Sequence, residues 1–287
     1  MTNLEPGRRP GSTGGTRDTV APPAMIVSDL DGTFLSPDGT VSTINADAVV
    51  AAQRAGIPVI FATGRPIRWL DVISDLPGIH PMVIASNGAV LYDVTERRIV
   101  RSHTIEGSLA LQAIRVLRDA LPGSRFAFEA GQNFGYEPGY LLTDDAVEDP
   151  AVTVGPADEL AVGGDHVKVL LRHPSKSSDE LAVAATELVG DLLTVTHSST
   201  PGSRLIEISR LGVSKASMLA EVCTDLAIPL SDVAAFGDMP NDLDLLTTVG
   251  RPHAMRNAHP LLLDLDLTVV PSNEESGVGR TISGWLE

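Results

Sequence analysis

The sequence has one cysteine, Cys223, in 287 residues, so no intramolecular disulfide can form. Its apolar neighbours Leu219, Val222 and Leu226 place the thiol at a packed position on a helix. No run reaches the roughly 18 apolar residues that a membrane span needs. The pair Arg8-Arg9 has no apolar stretch behind it, because Gly11 to Thr19 is polar, and a twin-arginine export signal is therefore not expected. Cytoplasmic residence is the expectation. Basic residues are scarce, with 21 Lys and Arg against 37 Asp and Glu, for a formal net charge of -16. That charge repels a phosphodiester backbone and an anionic lipid surface, so neither a nucleic-acid nor a membrane partner is expected. The histidines show no zinc-site spacing, and no internal repeat is present.

What is present is a hydrophobic content of 43%, enough for one large domain or two ordinary ones. Residues 1–23 are rich in Gly, Pro, Thr and Arg without apolar periodicity and read as a disordered tail. From Ala24 the pattern alternates. Met25-Ile26-Val27 reads as a buried strand, Ile44 to Ala55 as a helix stopped by Gly56, and Pro58-Val59-Ile60-Phe61 as the next strand. A helix near Ile67 to Ser74 leads to the strand Met82-Val83-Ile84, and three continuous apolar strands favour a parallel sheet covered on both faces. The rhythm resumes with a helix from Lys215 to Leu226, the strand Val233 to Phe236, a helix opened by Pro240 and a last strand at Leu267 to Val270. Between these halves come strand candidates Phe126 to Phe128 and Val167 to Leu171, with helices at Ser108 to Ala120 and Asp179 to Leu188. The expected architecture is α/β: a doubly wound parallel Rossmann-like sheet from residues 24–90 and 205–287, with an inserted α+β cap domain at 91–204. Such an insert would cover the carboxyl ends of the core strands, where open α/β sheets bind ligands.

Four segments carry chemistry. Asp29-Leu30-Asp31-Gly32-Thr33 follows the first strand, so two carboxylates sit at a strand's carboxyl end and a glycine lets the backbone turn away. Two carboxylates so placed can divide nucleophilic attack from acid-base work; an acidic turn or a calcium-loop fragment carries the same residues. Thr63-Gly64-Arg65 follows the second strand and offers a hydroxyl and a guanidinium to phosphate oxygens, although it also suits an ordinary strand-to-helix turn. Lys215 sits at a helix start, where most lysines are solvated surface charges but where a cation is unfavourable unless an anion lies nearby. Gly237-Asp238-Met239-Pro240-Asn241-Asp242 follows a later strand and supplies hard oxygen donors suited to Mg²⁺, or alternatively helix caps.

Taken together and in this order, the four motifs resemble the haloacid dehalogenase-like superfamily of phosphatases, in its Cof-like branch. The resemblance runs from Met25 onward. It implies that Asp29 is the nucleophile and a metal ligand, that Asp31 is the general acid and base with its backbone carbonyl facing the metal, and that Thr63 and Lys215 hold the transferring phosphoryl group. It further implies Asp238 and Asp242 as magnesium ligands, Lys215 as a partner of Asp29, and Asn241 near the phosphate. Gly64 and Arg65 border the same phosphate site, and Asn87 in Ser86-Asn87-Gly88-Ala89 is expected beside it. Asn257 and Asn273 to Val278 resemble the closing segments; Arg256 departs from the small residue expected there and puts that loop's shape in question.

The implied activity is Mg²⁺-dependent hydrolysis of a small phosphomonoester (a sugar phosphate, a nucleotide or a phosphorylated cofactor) through a phosphoaspartyl intermediate. A phosphomutase and a silent phospholigand sensor are the competing readings. Candidates for the leaving-group pocket are Phe134, Tyr136, Tyr140, His166, Lys168, His197 and Arg204, each of which also suits an ordinary core or surface position.

Overall fold

The computed structural model describes residues 21–74, 82–141, 149–198 and 203–287. Most of the expected tail, residues 1–20, lies outside the described residues. In chain order the strands are β1 (Met25–Ser28), β2 (Val59–Ala62), β3 (Met82–Ala85), β4 (Val90–Asp93), β5 (Arg98–Ser102), β6 (Arg125–Ala130) and β7 (Asn133–Tyr136). These are followed by β8 (Val152–Val154), β9 (Lys168–Arg172), β10 (Leu193–Thr196), β11 (Leu205–Arg210), β12 (Val233–Gly237), β13 (Arg251–Met255) and β14 (Thr268–Val270).

Eight strands form one sheet in the order β14-β13-β12-β1-β2-β3-β4-β5. It is parallel from β14 to β3, and β4 and β5 complete it as an antiparallel hairpin. Side chains alternate between its two faces. Ile26, Phe61 and Val83 pack on one side with Val49 of the helix Thr43–Arg54 and Ile282 of the helix Gly277–Leu286. Met25, Val27, Ile60 and Ile84 pack on the other with Met218, Leu219 and Val222 of the helix Lys215–Leu226. Helices on both faces explain why β1 and β2 are buried at every position and read as unbroken apolar runs.

The second sheet has the order β10-β11-β9-β6-β7-β8 and is antiparallel except for β7 with β8. One of its faces is covered by the helices Gly107–Ala120 and Ser178–Val189, through residues such as Ile114, Leu117, Phe126, Leu171, Leu181 and Ile208.

The expected boundaries at 91 and 204 are displaced by this pairing. β4 and β5 hydrogen-bond onto β3 and so belong to the first sheet, whereas β11 pairs with β9 and belongs to the second. Sheet membership is a long-range property that apolar periodicity does not encode. Two local readings also change. The helix expected at Ile67 to Ser74 is a 3-10 turn, Ile67–Trp69, and a separate short helix, Asp71–Ser74. Pro240 opens a 3-10 turn, Pro240–Asp242, before the helix Leu243–Thr248. β13 lies in the interior of the first sheet although its sequence, Arg-Pro-His-Ala-Met, carries little strand signal. Its His253 ring stacks on Phe236 at 4.8 Å, which buries an imidazole where an aliphatic residue is more usual.

Candidate active site

The parallel register brings four strand ends to one edge of the first sheet. Ser28 pairs with both Phe61 and Phe236, so Asp29, Ala62-Thr63 and Gly237-Asp238 emerge side by side. The Asp29 N–H donates to the Phe236 carbonyl at 3.0 Å, and the Thr63 N–H donates to the Ile84 carbonyl at 2.8 Å. The Asn87 N–H donates in turn to the Thr63 carbonyl at 3.0 Å, which ties the end of β3 into the same edge.

Three carboxylates meet there. Asp29, Asp238 and Asp242 are all buried, and each offers an oxygen within 4.8 Å of the others. Lys215, itself fully buried, donates to Asp29 Oδ1 at 2.5 Å and to Asp242 Oδ1 at 2.6 Å. The helix start that delivers Lys215 is fixed by Ser214, whose hydroxyl accepts from the Ser217 N–H at 3.2 Å. Asp242 Oδ2 accepts from the Asp238 and Met239 N–H groups at 3.0 and 3.1 Å, so this carboxylate holds both the lysine and the loop. Thr33 Oγ1 donates to Asp238 Oδ1 at 2.9 Å. Gly32 has φ +79°, and a Cβ there would stand 2.1 Å from Asp238 Oδ2, so only glycine permits this approach of turn and carboxylate.

The charges do not balance. Burial, then the neighbouring Asp242 and Asp238 carboxylates, push Asp29 well above the ordinary carboxylate range against the pull of Lys215. Burial, then Asp242, pushes Asp238 up to about 7. Burial opposes the Lys215 ammonium, but Asp242 and Asp29 override it and hold its pKa up. Three buried carboxylates facing one ammonium form an all-oxygen, net negative cluster of the kind a hard divalent cation neutralises. The donor set therefore fits a hard divalent cation.

Asp31 stands apart from this cluster. Its side chain is 56% exposed, and both oxygens accept from Arg65: Oδ2 from Nε at 2.7 Å and Oδ1 from Nη2 at 2.6 Å. Arg65 also donates to the Trp69 carbonyl at 3.2 Å, so in this arrangement its guanidinium is turned to Asp31 and the following loop. Thr63 is fully buried, and its hydroxyl accepts from the Arg65 N–H at 3.0 Å. Asn241 donates to Asn87 Oδ1 at 2.9 Å. Asn87 takes φ +56°, and Gly88, at φ +97°, lies so close to the Ser214 carbonyl that an added Cβ would come within 2.0 Å.

The second sheet closes over this edge. Lys168 Nζ, buried at the seam, donates to the Gly64 carbonyl at 2.7 Å and to Glu207 Oε1 at 3.0 Å. Glu207 Oε2 accepts from Asn87 Nδ2 at 2.5 Å and from Ser198 Oγ at 3.3 Å. Arg68 reaches Glu129 at 3.2 Å and lies 4.9 Å over the Phe134 ring. Between the sheets is a cavity of about 440 Å³ lined by Asp29, Asp31, Gly64, Arg65, Trp69, Ser198, Leu205, Glu207, Met239 and Asn241.

Of the leaving-group candidates, Lys168 reaches this seam directly. Phe134, Tyr136 and Tyr140 form an aromatic cluster on the same face of the second sheet. His166 turns away to the Ala161 carbonyl, and His197 is held by Asp179 at 3.1 Å. Glu207, Trp69 and Ser198 carry no local sequence signal and become site residues only through folding. The loop around Arg256 is unstrained: Arg256 stays outside the left-handed region and pairs with Glu275 at 2.8 Å, while Asn257 donates to the Gly32 carbonyl at 2.8 Å.

A family model described as haloacid dehalogenase-like hydrolase matches residues 26–282. Among curated proteins, the chain is 26% identical over 269 residues to the 5-amino-6-(5-phospho-D-ribitylamino)uracil phosphatase YitU of Bacillus subtilis, covering 92% of this chain and 98% of that protein. It is also 26% identical over 264 residues to the HMP-PP phosphatase of Yersinia enterocolitica, covering 91% and 95%. Among solved structures it superposes on BT1666 of Bacteroides thetaiotaomicron, a phosphatase of the haloalkanoate superfamily, with a TM-score of 0.76 at 22% identity over 96% of this chain and 99% of that one. SMU.1108c of Streptococcus mutans gives 0.79 at 21% identity over 92% and 98%.

Proposed function

From the premise that the chain belongs to the haloacid dehalogenase-like hydrolases, and is a phosphatase, we propose that it hydrolyses small phosphomonoesters with Mg²⁺ through a phosphoaspartyl intermediate on Asp29. The observation that carries this reading is the Asp29 carboxylate itself. It is buried at the end of β1, held through Oδ1 by Lys215, and lines the cavity with Oδ2 free of hydrogen bonds among the described residues.

Asp29 Oδ2 is the atom in position to attack phosphorus. Lys215 fixes the trajectory and offsets charge on the carboxylate, and buried charge of this kind is preorganised, so it costs no rearrangement during transfer. Asn241 lines the cavity where phosphoryl oxygens would lie, and Thr63, fully buried at the end of β2, would offer them its hydroxyl. Asp29, Asp238, Asp242 and the Asp31 carbonyl are the residues that would hold Mg²⁺, which when bound neutralises phosphate and carboxylate charge together. Asp31 lines the same cavity, and in this reading it protonates the departing alkoxide and then takes a proton from the attacking water. In that role its carboxylate must leave Arg65, and a phosphate anion entering the cavity competes for that guanidinium. Burial of the site in a cavity of about 440 Å³ between the sheets supports a metabolite-sized leaving group, such as a sugar, a nucleoside or a phosphorylated cofactor's alcohol.

The experiment is phosphate release from a panel of small phosphomonoesters, with Mg²⁺ and with chelator, for the wild type and Asp29→Asn. The expected result is Mg²⁺-dependent release in the wild type and a loss of at least about a thousandfold in the variant. Near wild-type activity of Asp29→Asn would overturn the mechanism, and a strict need for a bisphosphate activator would identify a mutase instead.

A further inference from the structure

The inward face of the second sheet continues past the catalytic cavity. Leu205 lines that cavity and also a second one, of about 680 Å³, whose lining includes Arg125, Arg172, Arg204 and Tyr140. The pairing register brings two of these arginines together. Arg125 of β6 and Leu205 of β11 are the direct cross-strand partners of Arg172 on β9, so the three side chains stand in one row on one face. Glu207 lies two residues from Leu205 on the same strand, hence on the same face and about 7 Å away. The arginine row is therefore one step outward from the carboxylate that closes the catalytic cavity.

The charge of this second cavity is anomalous for the molecule. In a chain of formal net charge -16, three arginines line one cavity and no carboxylate does so among the described residues. The Arg172 guanidinium lies 5.2 Å over the Tyr140 ring, and its Nε is buried with no hydrogen-bond partner among the described residues. Arg125 and Arg204 each spend one donor on a backbone carbonyl, of Ser124 and Pro174 respectively, which anchors each guanidinium and leaves further N–H groups for a ligand.

We infer that Arg125, Arg172 and Arg204 form an anion subsite for a carboxylate or phosphate group, contiguous with the catalytic cavity across Leu205. A planar guanidinium presents paired donors that match the oxygens of such a group. The anion comes either from the far end of the substrate or from a separate small molecule. The first source rests on the phosphatase reading and the second does not. The intervening Glu207 does not bar an anionic substrate, because Lys168 neutralises it at 3.0 Å.

Two measurements separate the sources. First, kcat/KM is measured with Mg²⁺ for a series of ω-carboxyalkyl phosphates and the matching ω-hydroxyalkyl phosphates, in the wild type and in Arg125→Gln and Arg204→Gln. Both arginines are exposed, so these variants are expected to fold, and circular dichroism checks it. Second, malonate is titrated calorimetrically into the metal-free proteins. If the subsite holds the end of the substrate, the carboxylate series is preferred by about tenfold at one chain length, and the ratio falls towards one in either variant. If it holds a free anion, the two series react alike, but malonate binds the wild type and binds the variants at least about fivefold more weakly. Equal turnover of the two series together with malonate binding that is absent or unchanged in both variants overturns the proposal. Malonate binding that is lost in the variants, with no turnover of any ester, would instead sink the catalytic reading and leave the subsite standing.

Discussion

Replacing Asp238 by asparagine should stabilise the metal-free protein at pH 8 while removing metal-dependent turnover. Asp238 is 5% exposed, so solvent does little to relieve the crowding that pushes its carboxyl from 3.8 up to about 7. Between these two values the native state keeps a proton that the unfolded chain has lost, so stability falls as pH rises through the window. At about 1.4 kcal/mol per unit, the cost grows by about 2 kcal/mol from pH 5.5 to pH 8 and reaches on the order of 4 kcal/mol at pH 8. Asparagine mimics the protonated acid and still accepts from Thr33, so it escapes this cost. The same substitution removes one of the charges that raise Asp29, which adds to the effect in the same direction. Burial lowers the pKa of His166, His197 and His253, which makes stability rise with pH, but these groups are common to both proteins and cancel in the comparison. The assay is urea unfolding of wild type and Asp238→Asn at pH 5.5 and 8 in chelator, repeated with Mg²⁺. The variant should gain about 2 kcal/mol on the wild type across the pH interval in chelator, and Mg²⁺ should close the gap by stabilising the wild type alone. Parallel pH profiles in chelator, or a variant less stable than the wild type at pH 8, would refute the claim that the cluster carries excess buried negative charge.

Lys215→Met leaves the three carboxylates without a cation and should cost about 3–5 kcal/mol in chelator, as loss of one partner of a buried ion pair does, with part recovered by Mg²⁺; the urea midpoint reads both. Asp31→Asn should slow breakdown of the phosphoenzyme more than its formation, so acid-quenched protein should carry covalent phosphate that the wild type does not accumulate. Gly88→Ala places a Cβ 2.0 Å from the Ser214 carbonyl at φ +97°, and should cost on the order of 2–3 kcal/mol and lower kcat by displacing the start of the Lys215 helix. A thermal melt of Gly88→Ala indistinguishable from wild type would show that the two loops can separate freely.

The parts of the site that were legible in the sequence are those that parallel-sheet geometry makes local. A buried parallel strand reads as an apolar run, its carboxyl end is fixed by where that run stops, and Asp29, Thr63 and Asp238 are each the first or second residue beyond such a stop. Lys215 was legible for a different reason: a cation at a helix start is unfavourable alone, and Asp29 and Asp242 are the anions that placement required. β13 is not legible in the sequence, because Arg251, Pro252 and His253 break the apolar pattern. The strand is nonetheless interior, with His253 buried by ring stacking and Pro252 set opposite Ala235 in a parallel register. The hairpin of β4 and β5 falls almost wholly within the insert expected at 91–204, because nothing in its own residues says which sheet it joins.

The seam between the sheets is where local reasoning stops, for a definable physical reason. Lys168 and Glu207 lie 39 residues apart and reach Gly64 and Asn87 across separations of 104 and 120 residues. Lys168 is one of several leaving-group candidates in the sequence and Glu207 is none, and nothing local to either residue says that they meet. Folded, the lysine is 1% exposed and would be an uncompensated buried charge without Glu207 and Glu129, whose carboxylates override burial and raise its pKa. The same pair fixes the carbonyl of Gly64 and the amide of Asn87, so the contacts that bury the charge also shape the loops bordering the catalytic cavity. The docking of the second sheet and the shape of the Gly64 and Asn87 loops therefore depend on the same contacts. A change at Lys168 is expected to act on turnover through Gly64 and Asn87 without touching the reacting atoms.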